Sequence, residues 1–158
     1  MKRVFLIIGV VLMIILIIGV TAFSVFAYRN LHWYDENEKN LEYVNAKEQQ
    51  ITLPNGNIIN YGEVENEKPA LLLIHGQMAA WEDYANILSE LSKNWHVYAV
   101  DVYGHGESSH NESLYYIDVN GEDLIWFIEH VINEKTVVCG HSNGALTAAY
   151  IAAYGGII

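Results

Sequence analysis

Val4 to Tyr28 runs for 25 residues without one acidic or basic side chain. A helix on the surface of a globular domain keeps a polar face, and this stretch has none. As a single helix it rises about 37 Å, against about 30 Å for the hydrocarbon core of a bilayer. It can therefore span with some tilt. Lys2-Arg3 and Val25-Phe26-Ala27 loosely match the basic start and small-residue exit of a cleaved leader. The apolar run exceeds the roughly 7–15 residues of a leader core, which favours an uncleaved anchor over residues 1–28. Lys2 and Arg3 precede the span, whereas Arg29 is soon followed by Asp35, Glu36 and Glu38. The positive-inside rule then places the N-terminus in the cytoplasm and the remainder outside, a single-pass arrangement. Tyr28, Trp33 and Tyr34 suit the outer interface, where amphipathic rings settle.

All 19 acidic residues and six of the eight basic ones lie beyond that span. So acidic a surface repels phosphate backbones, which excludes a nucleic-acid partner. The single cysteine, Cys139, excludes an intramolecular disulfide and a cysteine-rich zinc site. Residues 29–46 are polar, with helical character around Glu36–Tyr43, and read as a juxtamembrane spacer. Residues 47–158 read as one α/β domain. Lys47–Leu53 and Asn57–Val64 flank Pro54-Asn55-Gly56, a hairpin signal. Ala70–Ile74, His96–Val100 and Thr136–Cys139 are short apolar runs suited to strands buried on both faces. Trp81–Ser92, Asp118–Ile132 and Asn143–Tyr154 space their apolar residues as helices do. Strands alternating with helices predict a parallel sheet led by an antiparallel hairpin.

Gly140-His141-Ser142-Asn143-Gly144 is a G-x-S-x-G between an apolar strand and an apolar helix. A strand-to-helix turn this sharp forces its serine into strained backbone geometry, and the flanking glycines leave room for neighbouring chain. The hydroxyl then projects beside a helix N-terminus, whose free N–H groups and dipole favour negative charge. Two further motifs precede it, Leu71-Leu72-Leu73-Ile74-His75-Gly76-Gln77 and Asp101-Val102-Tyr103-Gly104-His105-Gly106-Glu107-Ser108. In order and spacing the three resemble the third, fourth and fifth strands of the α/β-hydrolase family with their loops, over roughly Gln49 to Ala153. The resemblance implies the N-terminal half of that family's sheet behind a transmembrane helix. It implies Ser142 as nucleophile, the backbone N–H groups of Gln77 and Asn143 as the oxyanion hole, and His75, Gly76, Asp101, Gly104, Gly106, Gly140 and Gly144 as structural motif positions. It implies no cofactor, and an ester, thioester or amide of a small or lipid-like acyl compound as substrate.

The remaining candidates have plainer readings. His75 is expected as a structural hydrogen-bonder and Asp101 as an acceptor that fixes its loop. His141 points away from its neighbour on a sharp turn and is a poor base. His105 and His110 fall in a loop. Cys139 is expected as a small buried apolar residue, and Tyr115 and Tyr116 as packing. Gly104-x-Gly106 lacks the third glycine of a dinucleotide loop. No standard metal-ligand spacing occurs among the seven histidines. The family supplies its triad in the order Ser, Asp/Glu, His. Residues 145–158 contain no Asp, Glu or His. On this reading the acid and base are missing, the strand at 136–139 is left as an open edge, and the chain is expected to be a partial domain, nearly inactive alone. A non-catalytic, membrane-tethered binding module of the same fold is the alternative.

Overall fold

A computed structural model describes residues 2–31 and 34–156, and the side chains of 34–36 are left undescribed. Trp33 and the last two residues of the expected tail lie outside the described residues. The chain divides into two units, Met1–Glu36 and Asn37–Ile158.

The first unit is essentially one helix, α1 (Lys2–Leu31), a little longer at both ends than the uncharged run. None of its residues is buried, and it is long and apolar enough to cross a membrane. Two of its polar side chains turn back on its own backbone: the Thr21 hydroxyl donates to the Ile17 carbonyl at 2.8 Å, and Asn30 Nδ2 donates to the Phe26 carbonyl at 2.9 Å. Such internal bonds spare a lipid-facing helix the several kcal/mol of each unpaired polar group, on the order of a lost hydrogen bond in hydrocarbon.

The second unit is a five-stranded mixed sheet in the order β1-β2-β4-β3-β5. The strands are β1 (Lys47–Thr52), β2 (Ile58–Val64), β3 (Ala70–Ile74), β4 (His96–Val100) and β5 (Thr136–Gly140). The β1–β2 hairpin is antiparallel and joins β4 antiparallel, while β3 lies parallel to both β4 and β5. Every residue of β3 is buried, as its unbroken apolar run requires. Its side chains alternate between two cores: Ala70, Leu72 and Ile74 enter one, Leu71 and Leu73 the other. Helices α4 (Ile117–Phe127) and α5 (Asn143–Tyr154) cover the first core with Leu124, Phe127 and Ile151. Trp81 and α3 (Ala85–Leu91) cover the second, with Leu88 as its anchor.

The structure departs from sequence expectation in four places. Residues 37–46 are part of the globular unit, not a free spacer: helix α2 (Tyr34–Tyr43) and the turn after it lay Leu41, Val44 and Ala46 against the second core. Asn37 is buried there and donates to the Glu82 carbonyl at 3.3 Å. The expected helix at 81–92 begins as a 3₁₀ turn, Trp81–Tyr84. The expected helix at 118–132 ends in a π-turn, Ile128–Ile132, closed by Asn133 in the left-handed region (φ 54°). Finally Cys139 is exposed, not buried, and Val137 is 47% exposed. Among the described residues β5 is one edge of the sheet, and the face that carries Val137 and Cys139 is left uncovered there.

Candidate active site

Strands β3, β4 and β5 end on one row, because Ile74 pairs with Val100 on one side and with Gly140 on the other. His75, Asp101 and His141 are the first residues past that row, so the three motif loops leave the sheet together.

The turn from β5 into α5 is tight. His141 N–H still bonds the Ile74 carbonyl at 2.9 Å, as an extension of the sheet. Gly144 N–H then donates to the His141 carbonyl at 2.9 Å, and Ala145 N–H to the Ser142 carbonyl at 3.1 Å. Ser142 is held between these bonds at φ 52°, ψ −116°, a region L-residues avoid at a cost of about 1–3 kcal/mol. It is exposed, and its side chain does not cap the helix behind it. A Cβ on Gly144 would overlap the carbonyls of Ile74 and His75, and one on Gly140 would overlap the Gly144 carbonyl. The two glycines thus let α5 start directly against β3, which sets Ser142 at the sheet end.

The loop after β3 passes beside the serine. A Cβ on Gly76 would lie 3.0 Å from Ser142 Cβ. His75 is 2% exposed and both its ring nitrogens are engaged. Nδ1 donates to the Gly76 carbonyl at 2.7 Å, and Nε2 accepts the Val102 N–H at 3.1 Å. The imidazole is therefore neutral, and its 3.7 Å approach to Asp101 is not an ion pair. Burial pushes its pKa below the ordinary 6.5, outweighing the Gly76 bond and the Asp101 charge, which pull the other way. A trans peptide sets its carbonyl and N–H in opposite directions. Holding the Gly76 carbonyl on His75 therefore turns the Gln77 N–H away from it. Gln77 and Asn143 line the same cavity, of about 130 Å³. Among the described residues neither backbone N–H finds an acceptor.

The loop after β4 is fixed by Asp101, also 2% exposed. Its Oδ1 accepts Trp81 N–H at 2.8 Å, and its Oδ2 accepts Asn60 Nδ2 at 2.8 Å and Glu107 N–H at 3.3 Å. Donors to a buried carboxylate offset its desolvation, which an unpaired charge could not withstand. Gly106, at φ 48°, comes so close that a Cβ there would overlap the Asp101 carboxylate. Ser108 Oγ completes the loop, donating to the Asp101 carbonyl and accepting Asn60 N–H, each at 2.8 Å. Gly104, at φ 83°, lies under the Tyr115 ring.

Of the residues expected to act together, Ser142, Gln77, Asn143, His75 and Gly76 meet at the ends of β3 and β5, with Asp101, Gly104 and Gly106 one loop away. Tyr115 and Tyr116 are 48% and 64% exposed and line the cavity rather than serving only as packing. His141 is exposed beside Gly76, and His110 caps its own loop on the Gly106 carbonyl at 3.0 Å. Sequence reasoning gave Asn60, Trp81 and Asn120 no part in the site, and read His105 only as a loop residue. Asn60 and Trp81 donate to Asp101, and Asn120 Oδ1 accepts Tyr103 N–H at 3.0 Å. Polar residues such as Asn60 and Asn120 carry no periodic signal, and only their burial marks them.

Known proteins are similar to this chain in sequence and in fold. The sequence pattern of the family described as alpha/beta hydrolase fold matches residues 69–155. A Haemophilus influenzae protein named as an esterase/lipase is 33% identical over 85 residues, 54% of this chain and 29% of that protein. Epoxide hydrolase 4 of Mus musculus is 34% identical over 91 residues, 56% of this chain and 25% of that protein. The matches thus span less than a third of these curated relatives' length. The crystal structure of a membrane phospholipase A, a bacterial virulence factor, superposes with a TM-score of 0.70 at 26% identity, covering 98% of this chain and 48% of that one. A lipase from Acinetobacter baumannii superposes at 0.67 with 24% identity, covering 77% of this chain and 42% of that one, a likeness of fold. A strained serine between β5 and α5, the three loops at one sheet end and the match over 87 residues together place the chain in the α/β-hydrolase fold family.

Proposed function

We propose that this chain carries the nucleophile half of a membrane-anchored serine hydrolase acting on an ester, thioester or amide of a small or lipid-like acyl compound. One observation carries the reading: an exposed Ser142 on a strained turn, packed against the Gly76 loop, with the Gln77 and Asn143 backbone N–H groups left without acceptors among the described residues. Ser142 Oγ attacks the carbonyl carbon, and the oxygen takes the negative charge facing the Gln77 and Asn143 amides. The leaving group departs with a proton and an acyl-enzyme remains, which water then hydrolyses. Each preorganised oxyanion donor contributes about 3–4 kcal/mol in the transition state. The likeness to a membrane phospholipase A over nearly the whole chain supports a lipid-like acyl group and a role for α1 as anchor; Lys2 and Arg3 ahead of the span support a cytoplasmic N-terminus.

Among the described residues no acid or base is hydrogen-bonded to Ser142 Oγ, so proton transfer from it is unassisted in this structure. Loss of a triad base costs on the order of 10⁶ in turnover, while 10³–10⁴ over water survives through the oxyanion hole and binding. The residue of that activity is measurable as slow covalent capture. Full-length chain in detergent, incubated with a fluorophosphonate, is expected to gain one adduct on the peptide containing Ser142. Equal capture by Ser142→Ala would overturn the reading. Absence of capture by a chain that unfolds cooperatively would favour the second reading, a non-catalytic binding module, which the absence of a base hydrogen-bonded to Ser142 among the described residues supports.

A further inference from the structure

The loop that carries the Gln77 amide is held by a second imidazole as well as by His75. Met78 N–H donates to His105 Nε2 at 3.2 Å, and His105 Nδ1 lies 3.3 Å from the Tyr103 carbonyl. An Nε2 that accepts leaves Nδ1 as the ring donor, so this imidazole too is neutral. The two rings meet edge to face with centroids 5.1 Å apart. Each comes from a different motif loop and grips the other's backbone: His75 takes Val102 N–H, and His105 takes Met78 N–H. Together they pin two consecutive peptide groups, 76–77 through the Gly76 carbonyl and 77–78 through the Met78 N–H.

The second grip restrains a backbone that would otherwise relax. Met78 stands at φ 61° with its side chain 92% exposed, so packing contributes little to keeping it there. An L-residue in the left-handed region favours relaxation to negative φ. That relaxation would swing the 77–78 peptide and, through the Cα of Gln77, pull on the neighbouring 76–77 peptide that carries the Gln77 N–H. We propose that His105 is a positioning residue for the oxyanion loop: its Nε2 holds Met78 in the left-handed conformation and thereby keeps the Gln77 N–H aimed beside Ser142. This rests on the oxyanion reading given above.

The test uses full-length chain in detergent micelles and separates the two ideas. Long-range proton–nitrogen spectra of the wild type report the His105 tautomer, independently of any reactivity. The expected result is a protonated Nδ1 and a bare Nε2, and a protonated Nε2 at neutral pH would overturn the proposal. Fluorophosphonate capture at Ser142 is then compared across variants. His105→Ala is expected to slow capture roughly tenfold to a hundredfold, less than or equal to the loss of one donor. His105→Gln, which keeps an acceptor near the same place, is expected to recover most of the rate. Met78→Gly, which removes the steric bias against positive φ, is expected to shrink the effect of His105→Ala. Unchanged capture by His105→Ala, or Gln behaving as Ala does, would overturn the proposal. If the wild type captures nothing, the oxyanion reading falls while the tautomer still decides whether the grip exists.

Discussion

Ser142 and Met78 are both non-glycine residues at positive φ, and each sits next to an amide proposed to receive the oxyanion. Strain stored there is part of the site, and it is measurable. Ser142→Ala and Ser142→Gly both delete the hydroxyl, yet only glycine adopts the native backbone freely. Relief of about 1–3 kcal/mol, less the 0.5–1 kcal/mol entropic cost of glycine, leaves the Gly variant roughly 1 kcal/mol more stable than the Ala variant. Chemical denaturation of the two checks this, and the opposite order would refute strain at the elbow. His75 gives a pH prediction. Its folded-state pKa lies below the ordinary 6.5 because of burial, so the unfolded chain binds a proton that the folded chain refuses. Its contribution is complete above that ordinary value and is lost as pH falls through it toward the lowered folded value. Stability measured at about pH 8 and about pH 5 should drop at acid pH, with a smaller drop in His75→Gln. An identical drop in the variant would assign the effect elsewhere. At this scale Ser142, His75 and Asp101 were legible in the sequence because each stands in a fixed motif. His105 was not, since its contact with Met78 depends on two loops meeting 27 positions apart.

Among the elements, α5 is the one whose placement decides the site, because its first turn rests on the end of β3. Gly144 makes that contact possible. Alanine there would gain about 1 kcal/mol of helix propensity and lose more to a Cβ pressed on two backbone carbonyls that have no room to move. Gly144→Ala is therefore expected to destabilise the fold by about 2–3 kcal/mol, read as a lower denaturant midpoint. A neutral or stabilising result would mean that α5 can shift. The strands were readable from sequence because β3 and β4 are apolar runs bounded by turn residues, and the Asn55-Gly56 pair announces the hairpin. Their order in the sheet, with β4 between β2 and β3, was not read from the sequence, because a local pattern does not report which strands pair. The π-turn at Ile128–Ile132 was not readable: its residues keep helical apolar spacing, and only the left-handed Asn133 marks the exit. Cys139 was misread for a related reason. An apolar strand signals burial, but burial of β5 depends on a neighbour, which a local pattern does not report.

At the scale of the whole molecule, the apolar N-terminal helix and the acidic globular unit obey different solvents. Full-length chain is expected to sediment with membranes and to resist alkaline extraction. Leu16→Arg with Ile17→Arg places two charges near the middle of α1, at about 2.5–3.5 kcal/mol each, and is expected to shift the chain to the extractable fraction. Retention of that double variant would argue against a spanning α1. The sheet has its own global constraint, set by the row that joins Val100, Ile74 and Gly140. Loss of a single codon from β3, β4 or β5 would draw one loop back by about 3.3 Å and turn its strand's side chains over to the wrong core. Length polymorphism is therefore ruinous in these three short stretches, where evolution can exchange letters but not add or remove them.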